Sequence, residues 1–585
     1  MKKIIALLTA VLFVLAATAC GGVTKDTENT GDVKDTTTAD AVVTDSPADT
    51  ADDASSDEDD GYFSDSDTKD VTGEIDAEIT LSGSEGTISD TTRGSSGSTV
   101  TITSKGKYRV SGSSEDVTIK INDTTKSGNV YLVLDGVTMK NSSAPCINVE
   151  AADKLIVVCS GDNTLVYTSD ETDLDGAIYS ADDLTVNGAG ALSITSSLHG
   201  IVGRDDVKIT GCSLSIDAES IGIKANDSLR IGGTASLDVE SGHDGVQIAN
   251  DDGDSYFYIE AGDVTIDAGY DGIDVSSEGS VSSTKVIMAG GSVTITAGGS
   301  SSNSKDDGTS QKGVKCDGDI LLEGTTLNIS SADDAIHSSG SVSIGEGEIT
   351  LSSSDDGIHA DDALAIAGGT VTILKSYEGL EAYEIDISGG AVGVTASDDG
   401  VNAAGGSDTQ STEAAPGAWG SSNGTLTISG GSLFVSAQGD GLDSNGSIYV
   451  TGGRVIIEGP TGNGNGALDY GDGAGCVASI TGGTVLALGS TGMAVNFNAG
   501  TVCSALVSLS GSAGDTITVD DGSNFSHTVS KSFECAVYAS ASMESGNTYT
   551  ISAGSSSASA DFSSSLYYST VSGMGGPGGM GAPGR

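Results

Sequence analysis

The sequence predicts an all-β fold: a right-handed parallel β-helix of about twelve or more coils with a small C-terminal β cap. The first reason is a repeated acidic turn, Ser354-Asp-Asp-Gly-Ile-His-Ala360, whose central small residue recurs at positions 335, 357, 379 and 400. The second is that short apolar alternations, joined by a Gly pair, follow these turns, as in residues 363–373. The third is that no window shows a sustained helical period. Repeats of this length indicate a solenoid.

The repeated turn defines coils along most of the chain. Two of the steps lengthen to 41 residues, and each contains a polar insert, at residues 298–311 and 404–423. Insertions in a solenoid form loops on one face, which is often the binding face. The small residue at the corner of the turn occurs at twelve positions: Ala177, Gly200, Gly222, Gly245, Gly272, Gly313, Ala335, Gly357, Gly379, Gly400, Gly441 and Ala467.

Residues 1–20 have the pattern of a bacterial lipoprotein signal peptide. Two lysines precede a short apolar run, which ends in small residues directly before Cys20. Lipidation of Cys20 would anchor the protein to the extracellular face of the cytoplasmic membrane, as a cell-surface lipoprotein. The alternative is ordinary cleavage and release.

The other segments differ in composition. Residues 21–70 are acidic and contain little to bury, which predicts a disordered tether, with calcium buffering as an alternative role. Residues 71–500 are predicted to form the β-helix, and residues 71–170, which lack the acidic turn, its first coils and N-terminal cap. Residues 501–565 alternate as in a small antiparallel module, and residues 501–570 are predicted to form the C-terminal β cap. The Gly, Pro and Met tail at 571–585 is predicted to be disordered.

Charge and cysteine content exclude several classes of function. The chain has 25 basic and 83 acidic residues, a net charge of −58, which argues against nucleic acid as a partner. It favours cations, or a polymer that is bound through cations. Seven cysteines remain without Cys20, and no CxxC spacing supports a zinc or redox site. Buried free thiols are expected, with one or two disulfides as the alternative.

Stacking of the coils predicts columns of acidic side chains, because neighbouring strands lie about 4.8 Å apart. The column just before the corner residue contains Asp244, Asp271, Lys312, Asp334, Asp356, Glu378, Asp399 and Asp440. The column two residues after the corner contains Asp274, Lys315, His337, His359, Glu381, Asn402, Asp443 and Asp469. A third row consists of Asp333, Asp355 and Asp398.

Like charges this close repel, so a counter-ion is expected, and Ca²⁺ is the natural candidate because it binds six to eight oxygen ligands. The alternative is that Asp-Gly is turn chemistry with hydrated carboxylates. His337 and His359 suit a softer metal, or they hydrogen-bond neighbouring carboxylates. The predicted metal ligands are Asp271, Asp274, Asp333, Asp334, Asp355, Asp356, Glu378, Glu381, Asp398, Asp399, Asp440 and Asp443.

At these turns the sequence resembles the calcium-containing carbohydrate-binding β-helix proteins of clostridial cell surfaces, which bind pectic polymers and cellulose and are related in fold to calcium-dependent pectate lyases. The resemblance covers roughly residues 75–500 and implies a non-catalytic polysaccharide binder with structural calcium. The matching stretches are residues 130–136, 199–202, 333–338, 355–360, 375–381 and 398–402.

The first functional hypothesis is an anchored protein that binds acidic plant polysaccharide, namely polygalacturonate or pectin, with cellulose as a further glycan. Calcium in the acidic columns would share its open coordination positions with galacturonate carboxylates. Aromatic rings near the acidic face would stack on sugars, although a ring that only covers a loop is an equal alternative. The candidate rings are Tyr377, Tyr383, Trp419 and Tyr470.

The second hypothesis is a calcium-dependent lyase that cleaves by β-elimination, for which a basic side chain must remove the C5 proton. Lys375 is the best candidate base, followed by Lys224, Lys312 and Lys315, although these lysines are equally suited as counter-charges. The paired-Asp turns end in His or Asn, whereas the lyase pattern has Asp there, so the enzyme remains the alternative. The third hypothesis is a passive adhesin or spacer in which calcium serves only rigidity.

Overall fold

The computed structural model describes residues 61–571, apart from 70, 72, 171–172, 251–252, 278–283, 306–307 and 405–423. Cys20, Trp419 and the 404–423 insert after Ala404 therefore lie outside the described residues, as do the predicted signal peptide, most of the linker and the tail after residue 571. The described residues all belong to one compact unit, Asp59–Arg585.

The described part is nearly all β, with a solenoid of about thirteen turns and a single short helix, which confirms the predicted fold class. Forty-five strands form one continuous sheet system and four form a second sheet. The alternation in the sequence produces the strands directly. Residues Asp263–Ala268, for example, alternate exposed and buried side chains through the whole strand, with the apolar ones inside.

The first coils contain the short helix α1 (Asp65–Thr68) and ten strands. These strands are β1 (Ala77–Gly83), β2 (Glu85–Ile88), β3 (Gly94–Ser95), β4 (Thr99–Ile102), β5 (Gly106–Glu115), β6 (Thr118–Asn122), β7 (Val130–Asn141), β8 (Ile147–Ala151), β9 (Leu155–Ser160) and β10 (Asp162–Tyr167).

The repeated coils contain the next thirty-two strands. They are β11 (Gly176–Ser180), β12 (Leu184–Gly188), β13 (Ala191–Ser196), β14 (His199–Gly203), β15 (Val207–Ile209), β16 (Ser213–Ala218), β17 (Ile223–Ala225), β18 (Ser228–Ile231), β19 (Ser236–Ser241), β20 (Val246–Ala249), β21 (Ser255–Ile259), β22 (Asp263–Ala268), β23 (Ile273–Ser276), β24 (Thr284–Met288), β25 (Ser292–Ala297), β26 (Val314–Cys316), β27 (Asp319–Ser331), β28 (Ile336–Ser338), β29 (Val342–Ser352), β30 (Ile358–Ile366), β31 (Thr370–Ser376), β32 (Leu380–Ile387), β33 (Ala391–Ala396), β34 (Val401–Ala403), β35 (Thr425–Ile428), β36 (Ser432–Ser436), β37 (Leu442–Ser444), β38 (Ser447–Val450), β39 (Arg454–Glu458), β40 (Ala478–Ile480), β41 (Thr484–Gly489) and β42 (Ala499–Gly500).

The C-terminal region contains the last seven strands. They are β43 (Ser504–Gly511), β44 (Thr516–Val519), β45 (Ser526–Thr528), β46 (Phe533–Ser540), β47 (Thr548–Ala553), β48 (Ser556–Asp561) and β49 (Tyr567–Ser569).

The coils pair through parallel strands, so each coil repeats the register of the one before it. In each coil one strand follows the acidic turn. The equivalent strands of successive coils, each paired with the next, are β23, β26, β28, β30, β32 and β34. The inward residues of the last four of these strands are completely buried; they are Ile336, Ile358, Leu380 and Val401. Full burial of an aliphatic side chain of this size contributes about 1.5–3 kcal/mol. A continuous column of such residues therefore stabilises the stack at this corner.

The corner itself requires a small residue because the coils approach closely there. A Cβ atom added to Gly400 would lie 2.7 Å from the carbonyl oxygen of Gly441 and 2.2 Å from a methyl group of Val435. Both distances are shorter than real Cβ contacts. This is the physical reason for the repeat that the sequence displays.

The C-terminal strands close the open end of the solenoid. Strand β46 pairs antiparallel with both β41 and β43, and β44, β45, β47 and β48 form the separate four-stranded sheet. A second cluster of buried apolar side chains, including Phe525, Tyr538 and Phe562, lies beneath it. The antiparallel C-terminal β cap expected from the sequence is therefore present.

The N-terminal segment 61–69 packs against the coils, which differs from the predicted linker ending at residue 70. The Asp67 carboxylate is fully buried and forms ion pairs with Lys154 at 3.0 Å and Lys208 at 3.4 Å. The ring of Tyr62 stacks on Tyr258 with centroids 3.6 Å apart. A buried ion pair and an aromatic stack give this segment an anchor that its acidic composition does not reveal.

Among the described residues, no helix is long and apolar enough to cross a membrane. The seven described cysteines are free thiols, and all but Cys476 are buried, in agreement with the expected free thiols.

Candidate functional site

The predicted column of side chains two residues after the corner is confirmed by the strand register. Its members pair across successive coils: Asp274 with Lys315, Lys315 with His337, His337 with His359, His359 with Glu381, Glu381 with Asn402 and Asn402 with Asp443. We call this the outer column. Gln247, one coil earlier, pairs with Asp274.

The residues just before the corner form a second stack, the corner column, held by its own carboxylates. In several of these Asp residues, one oxygen accepts the backbone N–H of the equivalent residue on the next coil. The distances are 2.7 Å from the Lys312 nitrogen to Asp271 Oδ1, 3.0 Å from Asp356 to Asp334 Oδ1, and 2.5 Å from Asp440 to Asp399 Oδ1. The backbone thus fixes one oxygen of these carboxylates, and the other keeps both of its lone pairs for a side chain or an ion.

The partners of that second oxygen change along the stack. In the first acidic coils, Gln247 Nε2 donates to Asp244 Oδ2 at 3.1 Å. The amine of Lys315 lies 3.1 Å from Asp274 Oδ1 and 3.9 Å from Asp271 Oδ2. Burial raises the pKa of Asp271 to about 7, although Lys315 acts in the opposite direction. Lys315 therefore compensates part of the negative charge of Asp271 and Asp274.

The middle coils are neutralised by two lysines. Lys312 pairs with Asp333 at 3.4 Å and more closely with Asp334, and Lys305 bridges Asp333 at 2.9 Å and Asp355 at 3.1 Å. Burial alone would raise the pKa of Asp334, but His337 and Lys312 hold it well below its ordinary value. Asp333, Asp334 and Asp355 lie close enough to hold a metal, yet two ammonium groups already occupy the carboxylate oxygens.

A histidine occupies the next position in place of a lysine. His359 Nδ1 lies 2.9 Å from Glu381 Oε2 and 3.3 Å from Asp356 Oδ2, and its Nε2 lies 3.2 Å from Asp361 Oδ1. Burial disfavours a charged imidazole, but hydrogen bonds to these three carboxylates raise the pKa of His359 far above its ordinary value. The ring stacks on His337, with centroids 4.8 Å apart. The imidazolium thus serves as the cation of this coil.

The last acidic coils have carboxylates but no cation. Carboxylate oxygens of Asp399, Asp440 and Asp443 all lie within 4.8 Å of one another, and none of the ion pairs among the described residues includes them. We call these three residues the Asp399 cluster. At such distances two charged carboxylates repel by about 3–4 kcal/mol at an effective dielectric constant of about 20.

The pKa values of the Asp399 cluster reflect this lack of compensation. Burial and then neighbouring carboxylates raise the pKa of Asp440 to about 8 and that of Asp443 to about 7. The pKa of Asp399 rises to about 6, mainly through burial. In the middle coils, by contrast, the pKa of Asp334 is lowered by its cations.

An amide oxygen beside this cluster lacks a hydrogen-bond partner. Asn402 is 7% exposed, and its Nδ2 donates to Glu378 Oε2 at 2.7 Å. Its Oδ1 is buried and accepts no hydrogen bond from any described residue. A buried amide oxygen without a donor is destabilising by about 1–3 kcal/mol, unless a cation or water completes it. Asn402 lies in the same turn as Asp399 and pairs in register with Asp443, so this oxygen belongs to one of the two coils that form the cluster.

These donor atoms fit a hard cation. They are carboxylate and amide oxygens, which are the ligands that Ca²⁺ prefers, and nitrogen ligands are absent from the Asp399 cluster itself. The lack of a side chain at Gly439 leaves space for these carboxylates. A Cβ atom at this position would lie 2.3 Å from the Oδ1 atoms of both Asp398 and Asp399. The cluster thus suits Ca²⁺ better than the lysine-filled group around Asp334.

The predicted sugar-binding rings are only partly in a position to act. Tyr377 is 48% exposed and Tyr383 is 40% exposed. A hydrogen bond to Asp398 raises the pKa of the Tyr377 hydroxyl to about 12. Tyr470 is half-buried, and its hydroxyl accepts a hydrogen bond from Asn498 Nδ2 at 3.1 Å.

Lys375 is not directed into the acidic columns. Its amine donates to the backbone oxygen of Ser301 and to Ser354 Oγ at 3.4 Å. Among the other candidate bases, Lys312 and Lys315 are held in the ion pairs described above. The structure therefore brings together the predicted carboxylates but ties up these lysines.

Several residues of the site were not predicted from the sequence. Lys305 and Asp361 have no repeat position that marks them, and Asn402 was noted in the column without a role. Tyr270, which is 37% exposed and stacks on His243 with centroids 4.7 Å apart, adds a ring in the same row as Tyr377. Both tyrosines lie two residues before the corner, in the predicted row of Asp333, Asp355 and Asp398, so the period alone could have placed Tyr270 there.

Comparison with known proteins identifies a family. Residues 96–357 and 354–561, most of the chain, match the family described as carbohydrate-binding domain-containing protein. A protein of that description from Acetivibrio thermocellus (strain ATCC 27405) is 31% identical over 129 residues, which cover 20% of this chain and 45% of the relative. The chain thus matches less than half the length of that relative.

A solved structure, of the polysaccharide lyase-like protein from C. thermocellum in a gadolinium derivative, is 23% identical. It covers 47% of this chain and 100% of its own, with a TM-score of 0.36. The two matches to the family model cover the coils on both sides of the Asp355–Asp356 turn. The chain belongs to the carbohydrate-binding domain-containing protein family.

Proposed function

We propose that this protein is a lipid-anchored, extracellular polysaccharide-binding protein that takes acidic plant polysaccharide, polygalacturonate or pectin, through calcium held in its stacked acidic turns. Cellulose is the further glycan in this proposal. The observation that supports it is the Asp399 cluster, where three carboxylates converge without an ion-pair partner among the described residues, and where Asn402, paired in register with Asp443, has a buried amide oxygen without a donor. Family membership supports a carbohydrate as the partner.

The roles of the protein groups follow from their chemistry. Asp440 and Asp443 would supply carboxylate ligands, and Asn402 Oδ1 a neutral ligand from the neighbouring coil. Asp399 and Asp440 each keep one oxygen on a backbone N–H, which holds the carboxylate in place for the other oxygen to bind. When bound, calcium supplies the positive charge that joins these carboxylates to those of a uronate.

The net charge favours such a bridge. A protein of net charge −58 and a polyuronate repel each other at long range. The uncompensated cluster is the place where the protein gains most from binding a cation, because its carboxylates then lose their mutual repulsion. The lysine-paired coils around Asp334 gain much less.

Exposed tyrosine rings would supply contacts to the uncharged faces of sugars. Tyr377 lies in the turn that precedes Gly379, within the same run of acidic coils as Asp399, and Tyr383 follows in strand β32. Aromatic rings offer large apolar area at little loss of conformational freedom. Their exposed fractions of 48% and 40% leave that area open to a ligand.

We favour a binding protein over a lyase because of the position of Lys375. A lyase base must reach the proton that it removes, within hydrogen-bond range or through one water. The amine of Lys375 is bound to Ser301 and Ser354 on the outside of the coil. Lys312 and Lys315 are protonated partners of carboxylates, and a charged ammonium cannot accept a proton.

The test is depletion of the protein from solution by insoluble polygalacturonate, with calcium and with chelator. We expect strong retention with calcium and a large loss of retention with chelator, and weaker binding to highly methyl-esterified pectin, which lacks most carboxylates. Binding that is unchanged in chelator would refute the calcium bridge. Release of unsaturated uronide into the supernatant would favour the lyase, and a calcium-dependent rise in stability without glycan binding would favour the spacer.

A further inference from the structure

A polar cleft lies where the last acidic coils meet the C-terminal cap. Its volume is about 480 Å³, within the range of small-molecule sites. Residues from three successive coils and from the cap line it: Thr395, Ala396, Ser436, Ala437, Gln438, Thr461, Gly462 and Lys531. Hydroxyl and amide groups dominate this lining, and Lys531 is its only charged side chain.

Lys531 is a half-buried cation that donates a hydrogen bond to the backbone. Its amine donates to the backbone oxygen of Ala437 at 2.5 Å, and none of the ion pairs among the described residues includes it. Glu458 is the carboxylate that acts on it electrostatically, but that group binds His527 Nε2 at 2.8 Å and the Ser530 nitrogen at 3.0 Å. Burial lowers the pKa of Lys531, as expected for an ammonium without a carboxylate partner.

The cleft is next to the Asp399 cluster along two of these coils. Ala396 lies three residues before Asp399, and Gln438 lies two residues before Asp440. A chain that occupies the cleft would therefore pass close to the cluster. A half-buried ammonium surrounded by hydroxyl and amide groups is suited to a carboxylate that belongs to a sugar, because the hydroxyls can bind the ring.

We propose that the Lys531 cleft is a second, calcium-independent subsite that binds the carboxylate of one uronate residue of an acidic glycan. This inference rests on the proposed function for the identity of the polymer, but not for the chemistry of the cleft. The polymer would then be bound in two ways: through a cation held by a cluster of carboxylates and, beside it, directly by an ammonium group of the protein.

The experiment measures protection of Lys531 from an amine-reactive ester, by mass spectrometry of the full chain in chelator. Trigalacturonate should slow acylation of Lys531 about tenfold at saturation, whereas its methyl-esterified form should have little effect. Lys140, an exposed lysine of β7 in the first coils, is the internal control and should react at an unchanged rate. Equal labelling with and without trigalacturonate, or equal protection by the neutral form, would overturn the proposal.

A variant provides the second measurement. Lys531→Gln should weaken trigalacturonate binding in chelator about tenfold, while Lys531→Arg and Lys140→Gln should bind like the natural protein. Unaltered binding by Lys531→Gln would contradict the subsite. Calcium-dependent retention on polygalacturonate without protection of Lys531 would refute the cleft alone. Protection of Lys531 without that retention would refute the calcium bridge and leave the cleft standing.

Discussion

Asn402 and Asp443 occupy the same position on adjacent coils, and the Asn402 Oδ1 atom has no hydrogen-bond donor among the described residues. The acidic columns are therefore not uniform. Lysines compensate the coils around Asp274 and Asp334, and His359 compensates the next coil. At Asn402 and Asp443 the protein provides oxygen ligands and no positive charge, and that change along the stack defines the candidate cation site.

Asp443→Asn should have opposite effects with and without calcium. In chelator the substitution removes repulsion within the Asp399 cluster, so we expect the melting temperature to rise by about 1–2 °C. With calcium the natural protein should gain stability that the variant lacks. Thermal unfolding in both conditions measures this, with Asp386→Asn, an exposed carboxylate of β32, as the matched control. A variant less stable than the natural protein in chelator would contradict the repulsion.

Gly439→Ala should impair the cation site without a change of charge. The added methyl group would meet the Oδ1 atoms of Asp398 and Asp399 at 2.3 Å and displace both carboxylates. We expect calcium affinity to fall about tenfold, measured by titration calorimetry. Gly464→Ala is the control, because no atom lies within 4 Å of a Cβ there. Equal affinities for the two variants would show that Asp399 is not a ligand.

The stability of the calcium-free protein should fall as pH rises from about 4 to about 8. The folded pKa values are about 6 for Asp399, 7 for Asp443 and 8 for Asp440, all above the ordinary value of 3.8. A carboxyl group with a raised folded pKa stabilises fully below its unfolded pKa, and this contribution is lost as pH rises through the folded pKa. Calcium binds the deprotonated form, so the benefit of added calcium should grow over the same range. Melting curves in chelator and in calcium measure both trends, and a pH-independent calcium effect would contradict the assignment.

Lys312→Met should convert the compensated coils into a second calcium-responsive region. Removal of this ammonium leaves Asp333 and Asp334 buried with Lys305 as a remaining counter-charge, which is destabilising by about 3 kcal/mol for a broken buried pair. We expect calcium to restore part of the lost stability. Lys140→Met, on an exposed site, should change neither quantity. No loss of stability in Lys312→Met would show that the lysine does not neutralise these carboxylates.

Asp67→Asn should release the N-terminal segment from the coils. The substitution leaves Lys154 and Lys208 without their shared buried carboxylate, and we expect local opening of residues 61–69 to become easier by about 3 kcal/mol. Hydrogen exchange of this segment is the measurement. Asp65→Asn, in the same helix but exposed, should leave protection unchanged. Identical exchange in both variants would refute the role of the ion pairs.

The sequence predicted best those features that depend on backbone geometry, namely which residues lie beside each other on successive coils. The period of about 22 residues predicts which side chains share a column, because parallel pairing places Asn402 beside Asp443 and His337 beside His359. The distribution of charge within the columns could not be predicted in the same way. Lys305 reaches Asp355 from 50 residues away, and its long side chain has no repeat position to mark it.

The cap illustrates the same limit. Its antiparallel pairing was expected from alternation, but the contact of Lys531 with the Ala437 carbonyl joins residues 94 positions apart. The proposed anchor at Cys20 and a role for Trp419 lie outside the described residues and stay predictions. For Tyr377 and Tyr383, exposure agrees with the expected role, whereas the hydrogen bonds of Lys375 do not favour it as a base.

The most direct test of the account is retention of the natural protein, Asp443→Asn and Asp386→Asn on insoluble polygalacturonate at one fixed calcium concentration. We expect the natural protein and Asp386→Asn to be retained and Asp443→Asn to remain in solution, with all three released by chelator. Retention of Asp443→Asn equal to that of the natural protein would show that the Asp399 cluster does not hold the ion through which the polysaccharide binds.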